Sequence, residues 1–222
     1  MKYLKLLLVS CAILFYSIDV SAQKKKEKKK DENIIASALK SFKFRSIGPA
    51  FMSGRIADIA IDETNENVWY VAVGSGGVWK TENAGTTWNP IADNMPFYST
   101  GCIIIDPSNN SSIWLGTGEN VGGRHVGIGH GVYHSSDAGK SWKNMGLKNS
   151  EHISQIIVHP NNSNVIWVAA QGPLWSSGGD RGLFKSVDGG KTWENKLEIN
   201  EWTGVADLVI NPENPNILYL AS

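Results

Sequence analysis

The residues best suited to chemistry lie in two glycine-rich stretches near the middle of the chain. Glu119 and Asp180 are the carboxyl groups there, and glycoside hydrolysis normally requires two carboxyl groups that flank the bond to be cleaved. His125 and His130 are weak candidates for zinc ligands, because their spacing across a glycine-rich loop matches no recognised metal motif. The sequence therefore gives two weak catalytic candidates, no assigned catalytic residue, no metal and no cofactor.

A second group of residues is suited to binding rather than catalysis. Aromatic and arginine side chains in long loops are typical of ligand-binding surfaces. The candidates are Arg55, Tyr98, Arg124, Trp175, Arg181 and Trp202. If they are exposed anchors, replacing Trp175 and Arg181 by alanine should abolish ligand binding and leave the melting temperature nearly unchanged.

One short motif occurs three times in the chain, and it indicates how these loops are positioned. The pattern is Ser/Thr-x-Asp/Asn-x-Gly-x-Thr/Ser-Trp, and its tryptophans are separated by 54 and 51 residues. The repeated positions are Asn83, Gly85 and Trp88, then Asp137, Gly139 and Trp142, then Asp188, Gly190 and Trp193. We call residues 83–88, 137–142 and 188–193 the box turns.

The composition of the box turns predicts a structural role. An Asp or Asn side chain accepts hydrogen bonds from the backbone of its own turn, the glycine allows a positive φ, and the tryptophan packs between sheets. Asn83 stands where the other two copies have aspartate, and an amide cannot act as a proton donor in catalysis. Catalysis or calcium binding by Asp137 or Asp188 is therefore the less favoured hypothesis.

Four short apolar segments accompany each box turn, and this arrangement predicts an all-β fold. Four-stranded antiparallel units repeated about every 50 residues are typical of β-propeller blades. The predicted blades cover about 54–92, 101–146 and 153–197, and a fourth begins at about 204–222. A seven-bladed ring at this period needs more than about 300 residues, so the pattern predicts an incomplete N-terminal part of a seven- to ten-bladed ring.

The strand order also predicts which loops share one side of the propeller. The box turns lie on one side, and the loops that collect on the other side vary in length, which is typical of a binding surface. We call this second side the upper face; it comprises residues 54–55, 74–76, 97–100, 118–130, 150–152, 171–181 and 201–203.

The N-terminus has the features of an export signal. A basic start, an apolar segment and small residues at the end predict a signal peptide over 1–22 that is cleaved before Gln23, and a bacterial lipoprotein site at Cys11 is the alternative. Residues 23–33 form a lysine-rich linker expected to be disordered, and 34–222 form the propeller. We expect an exported protein that is periplasmic, attached to the cell surface or secreted. We expect its mature chain to have no transmembrane span.

The net charge argues against a nucleic-acid partner. The 21 basic and 21 acidic residues balance, but residues 1–32 hold eight of the lysines and only four acids. The remainder has 13 basic against 17 acidic residues and lacks the basic surface that phosphate backbones require. A protein, peptide or polysaccharide ligand is the predicted partner.

The box turns resemble the BNR/Asp-box repeats of sialidases, xyloglucanases and sortilin-type receptors, and residues 44–49, 54–55, 76–81 and 116–119 extend the resemblance. The resemblance is strongest to exported bacterial proteins with a sortilin-like N-terminal domain, and it implies a protein, peptide or glycan binding module that is a fragment of a larger protein. The alternative is a glycoside hydrolase of the BNR-repeat type. Gly74 stands where xyloglucanases carry a catalytic aspartate, and this departure weighs against hydrolysis.

Overall fold

The computed structural model describes residues 55–123 and 126–222, and within these ranges the regular structure is β-strand. The predicted signal peptide, the linker and two candidate residues, Arg124 and His125, lie outside the described residues. Among the described residues there is no helix long and apolar enough to span a membrane.

In the described part of the chain, fourteen strands form three four-stranded sheets and one two-stranded sheet, all antiparallel. The first sheet contains β1 (Ile56–Ile61), β2 (Trp69–Val73), β3 (Gly77–Thr81) and β4 (Asn89–Pro90). The second contains β5 (Thr100–Asp106), β6 (Asn109–Thr117), β7 (Val132–Ser135) and β8 (Lys143–Gly146). The third contains β9 (Ile153–His159), β10 (Asn162–Ala170), β11 (Gly182–Ser186) and β12 (Glu194–Leu197), and the fourth contains β13 (Asp207–Ile210) and β14 (Leu218–Ala221).

Each sheet packs face to face on the next, and three apolar cores fill the spaces between them. The innermost strands β1, β5, β9 and β13 are neighbours in that order. Alternation along β6 illustrates the packing, because Leu115 faces the first sheet and Trp114 faces the third. The sheets are therefore propeller blades, as the repeat predicted, and we refer to them as blades 1 to 4.

Loops of the upper face are joined to one another by backbone hydrogen bonds across blade boundaries. The amide of Gly129 in blade 2 donates to the carbonyl of Glu151, which leads into blade 3, at 2.7 Å. The amide of Gly178 in blade 3 donates to the carbonyl of Glu201, which leads into blade 4, at 2.7 Å. These hydrogen bonds fix the positions of neighbouring loops relative to one another, so side chains from different blades can form a common site.

Candidate functional site

A tight turn between β2 and β3 lies at the centre of the upper face of blade 1. The amide of Gly74 donates to the carbonyl of Arg55 at 2.7 Å, and the amide of Gly77 donates to the carbonyl of Tyr98 at 3.0 Å. The hydroxyl of Ser99 donates to the carbonyl of Gly74 at 2.6 Å. Arg55 and Tyr98, which are far apart in sequence, therefore flank the same turn.

Glu119 projects from blade 2 onto this turn. Its side chain is only 2% exposed and forms an ion pair with Arg55, whose side chain is 56% exposed. Oε1 of Glu119 also accepts hydrogen bonds from the Ser75 hydroxyl at 2.6 Å and the Gly127 amide at 3.2 Å. The Glu119 carboxylate is therefore engaged by a cation, a hydroxyl and a backbone amide.

The backbone of Glu119 is fixed as firmly as its side chain. Its amide donates to the carbonyl of Gly127 at 3.0 Å, and its carbonyl accepts Nδ1–H of His152 at 2.9 Å. His152 is 1% exposed, and burial lowers its pKa, so the neutral ring with its proton on Nδ1 is favoured. Blades 1, 2 and 3 therefore all contribute to the position of one carboxylate.

Arg181 lies on blade 3 in a position different from the expected exposed anchor. Arg181 is only 6% exposed, and its guanidinium donates five hydrogen bonds to backbone carbonyls. The acceptors, at 2.6–3.2 Å, are Gln171, Pro173, Ser176, Gly178 and Trp202. Arg181 therefore positions two loops of the upper face from beneath, because its donors are directed at the backbone and not at solvent.

The loops that Arg181 joins carry two exposed tryptophans. Trp175 is 74% exposed and Trp202 is 61% exposed, and the amide of Gly178 strengthens the junction by donating to the carbonyl of Glu201 at 2.7 Å. Tyr98, which lies beside the 74–77 turn of blade 1 on the same upper face, is 65% exposed. Large aromatic side chains held in solvent by ordered loops can bind a ligand at little additional entropic cost.

The second catalytic candidate has different partners from Glu119. Asp180 is partly buried, its Oδ2 accepts from the Asn149 amide at 2.9 Å, and its own amide donates to the Asn149 carbonyl at 3.2 Å. His130 is exposed, and its amide donates to the Thr117 hydroxyl at 2.8 Å. Within 55–123 and 126–222, no three His, Cys, Asp or Glu side chains converge as metal ligands would.

The box turns are closed by their own side chains. Oδ1 of Asp137 accepts from the Ser141 amide at 2.8 Å, and Oδ2 accepts from the Ser141 hydroxyl at 2.6 Å. These bonds lower the pKa of Asp137 to about 2, and equivalent bonds from Thr192 lower that of Asp188 to about 2. The carboxylates are therefore engaged by their own turns.

The tryptophans of the second and third box turns project toward the preceding blade. Nε1 of Trp142 donates to the carbonyl of Ile91 on blade 1 at 3.1 Å, and Nε1 of Trp193 donates to Met145 on blade 2 at 2.7 Å. Trp88, on blade 1, instead borders an apolar surface with Ile56 and Ile59. Trp142 thus joins blade 2 to blade 1, and Trp193 joins blade 3 to blade 2.

Several residues of the site carried no sequence signal. Ser75 and His152 contact Glu119 only because blades 1, 2 and 3 pack together, whereas Gly127 contacts it within its own loop. Gln171 donates to the carbonyl of Asn120 at 3.2 Å across a blade boundary. The short spacing in the 74–77 turn was visible in the sequence. The sequence did not show that the Glu119 side chain fills the space in front of this turn.

Comparison with known proteins agrees with this fold. No family model matches the chain. An ancestral GH74 enzyme superposes with a TM-score of 0.62 at 24% identity, over 76% of this chain and 22% of that one. The GH74 xyloglucanase from Xanthomonas campestris superposes with a TM-score of 0.55 at 16% identity, over 72% and 25%. The fold is a β-propeller.

Curated sequences give a similar result at the sequence level. A xyloglucanase from a Paenibacillus species is 27% identical over 150 residues, which are 65% of this chain and 13% of that protein. Xyloglucanase Xgh74A of Acetivibrio thermocellus is 23% identical over 164 residues, which are 68% and 18%. The chain therefore spans less than a fifth of the length of these relatives, and it is similar to glycoside hydrolase propellers.

Proposed function

We propose that the upper face binds a polysaccharide, with Trp175 and Trp202 as the stacking residues. The observation that carries the proposal is that two highly exposed tryptophans stand on loops joined by one buried arginine. The apolar faces of sugar rings pack on aromatic side chains, and loops that are already ordered lose little entropy on binding. The similarity to xyloglucanases supports a β-glucan such as xyloglucan as the ligand.

A binding experiment with the whole chain tests this proposal. Affinity electrophoresis and titration calorimetry with xyloglucan, mixed-linkage glucan, xylan and mannan should detect binding to at least one neutral polysaccharide. Trp175→Ala and Trp202→Ala should each lower the affinity roughly tenfold or more without changing the melting temperature. Tyr219→Ala is the matched control, because Tyr219 is 60% exposed on β14 and outside the upper face. Equal binding by the wild type and the tryptophan variants would refute the proposal.

Hydrolysis of the bound glycan is the second candidate function. It is supported by the relatives, which are xyloglucanases, and Glu119 and Asp180 remain its candidate carboxyl groups. Two observations oppose it: Gly74 has no side chain where xyloglucanases carry an acid, and the Glu119 carboxylate is occupied by an ion pair. Release of reducing sugar that disappears in Glu119→Gln or Asp180→Asn would establish hydrolysis, and no release by the full-length protein would exclude it.

The proposed ligand requires the protein to leave the cytoplasm, and residues 1–22 support export. N-terminal sequencing of the mature protein should begin at Gln23. A lipid-modified Cys11 at the N-terminus would identify a lipoprotein instead.

We also propose that the box turns relate the chain to BNR-repeat proteins with a sortilin-like N-terminal domain. This relation would make a protein ligand the principal alternative to a glycan.

A further inference from the structure

Arg55 and Glu119 combine an exposed cation with a buried anion on the upper face. The Glu119 side chain is 2% exposed, so it cannot move away from the guanidinium into solvent without opening the boundary between blades 1 and 2. Ser75 and Gly127 hold the same carboxylate from two other directions. The guanidinium of Arg55 is therefore held in a fixed place, and more than half of its side-chain surface remains open to solvent.

The paired charge determines which ligands this site can take. A guanidinium carries five N–H donors, so one that is bonded to a carboxylate still has donors for other acceptors. A sugar hydroxyl can accept from them without bringing any charge. A ligand carboxylate gains little there, because Glu119 already balances the charge of Arg55 and would repel a second anion.

Tyr98 completes the site on the other side of the 74–77 turn. The turn is hydrogen-bonded to the backbone of Arg55 at one end and to the backbone of Tyr98 at the other, so both residues adjoin the same turn. Tyr98 is 65% exposed and offers an apolar ring face on the other side of this turn. An aromatic face next to fixed hydrogen-bond donors suits a sugar ring with free hydroxyl groups.

We propose that Arg55, Glu119 and Tyr98 form a sugar subsite that selects neutral glycans over glycans containing uronic acids. Arg55 donates to ring hydroxyls, Tyr98 packs on the ring, and Glu119 neutralises and positions Arg55. This inference rests on the proposed polysaccharide-binding function and adds a second, polar subsite to the Trp175 and Trp202 pair. Selectivity comes from Glu119, which does not itself contact the ligand.

The decisive experiment measures a gained affinity in Glu119→Gln. Glutamine keeps the shape of the side chain but leaves the charge of Arg55 unbalanced, so affinity for polygalacturonate at low salt should rise about fivefold or more. The gain should disappear in about 1 M salt, because an exposed charge is then screened. Glu66→Gln is the matched control, because it removes the same charge from an exposed position on the opposite side of the blades.

Arg55→Lys keeps the test valid if Glu119→Gln is poorly folded, and a double variant controls for the charge if it folds. Arg55→Lys retains a cation for the ion pair but loses the planar donor group, and its affinity for xyloglucan should fall about tenfold or more at unchanged melting temperature. The double variant Arg55→Gln/Glu119→Gln removes both charges, so it should gain no affinity for polygalacturonate.

The outcomes separate the subsite from the general function. If the wild type binds xyloglucan but Glu119→Gln gains no affinity for polygalacturonate, the selective subsite is refuted and polysaccharide binding stands. An equal gain in Glu66→Gln would refute the subsite as well, because net charge alone would explain it. A wild-type chain that binds no neutral polysaccharide would refute both proposals.

Discussion

Gly74 faces the carboxyl group of Glu119 so closely that a Cβ atom at position 74 would lie 3.3 Å from Cδ of Glu119. The buried carboxylate of blade 2 thus fills the space into which a side chain from the blade 1 turn would project. A side chain at position 74 would therefore press on Glu119, which would have to move by a few tenths of an ångström.

Replacing Gly74 by aspartate should therefore destabilise the protein in a pH-dependent way. A second carboxylate beside Glu119 raises the free energy of the folded state by about 1–3 kcal/mol at pH 7, because like charges in contact cannot both ionise freely. Gly74→Asn introduces nearly the same volume without charge. Urea unfolding at pH 5 and pH 8 should show a larger loss for Gly74→Asp than for Gly74→Asn at pH 8, and a smaller difference at pH 5. Parallel losses at both pH values would show that volume, not charge, is responsible.

Arg181→Ala should lower stability as well as ligand affinity. Removing the guanidinium leaves carbonyl groups of two loops without their donor, and this costs about 2–4 kcal/mol. Thermal unfolding measures the loss. Arg181→Lys should recover only part of it, because an ammonium group has three donors and cannot reach five carbonyls. An unchanged melting temperature in Arg181→Ala would restore the expectation from sequence that Arg181 is an exposed anchor.

Trp142→Ala should destabilise the protein by about 3–5 kcal/mol, as expected for a packed aromatic side chain that also loses its hydrogen bond to Ile91. Trp88→Ala removes the same side chain from the equivalent position of blade 1, where it is 36% exposed. Its cost should be roughly half as large. Chemical denaturation of the two variants compares them directly, and equal losses would contradict the assigned role of Trp142 in joining blades 1 and 2.

The difference between Arg181 and the box turns shows what the sequence could and could not predict. A box turn is a local structure, since Asp137 bonds to residues within four positions, and its motif therefore specifies its geometry. The surroundings of Arg181 come from loops that are ordered by tertiary contacts. Its residue type and loop position suggested exposure, but the carbonyls that bury it belong partly to the Trp202 loop, 21 positions along the chain.

Glu119 illustrates the same limit at the candidate site. The sequence placed it on the correct face and identified it as a carboxyl group of interest. Its ion pair with Arg55 joins residues 64 positions apart, and its contact with His152 comes from a third blade. Repeat periodicity predicts blades, but the pairing of side chains across blade boundaries depends on loop conformations that have no periodicity.

The first two box turns contain a strained alanine that the third lacks. Ala138 has φ 59°, a left-handed conformation that a Cβ atom disfavours, whereas Gly189 holds the equivalent place in the third turn at φ 72°. Ala138→Gly should therefore stabilise the protein by about 0.5–1 kcal/mol, and Gly189→Ala should destabilise it by a similar amount. Thermal unfolding of both variants tests the pair, and shifts of the same sign would contradict the argument.

Acid stability should depend on the carboxylates of the box turns. Hydrogen bonds from Ser141 and Thr192 lower the pKa values of Asp137 and Asp188 to about 2 in the folded protein, whereas an aspartate in an unfolded chain titrates near 3.9. The unfolded state therefore binds more protons between these values, so the stabilisation is complete above about pH 4 and is lost as the pH falls toward 2.

The double variant Asp137→Asn/Asp188→Asn isolates this contribution. An amide oxygen can still accept from the turn backbone, as Asn83 does from Thr87 at 2.8 Å, but it does not titrate in this range. The melting temperature of the wild type should fall more steeply between pH 4 and pH 2 than that of the variant. Identical slopes would show that the two carboxylates do not control acid unfolding, and that other groups take up the protons.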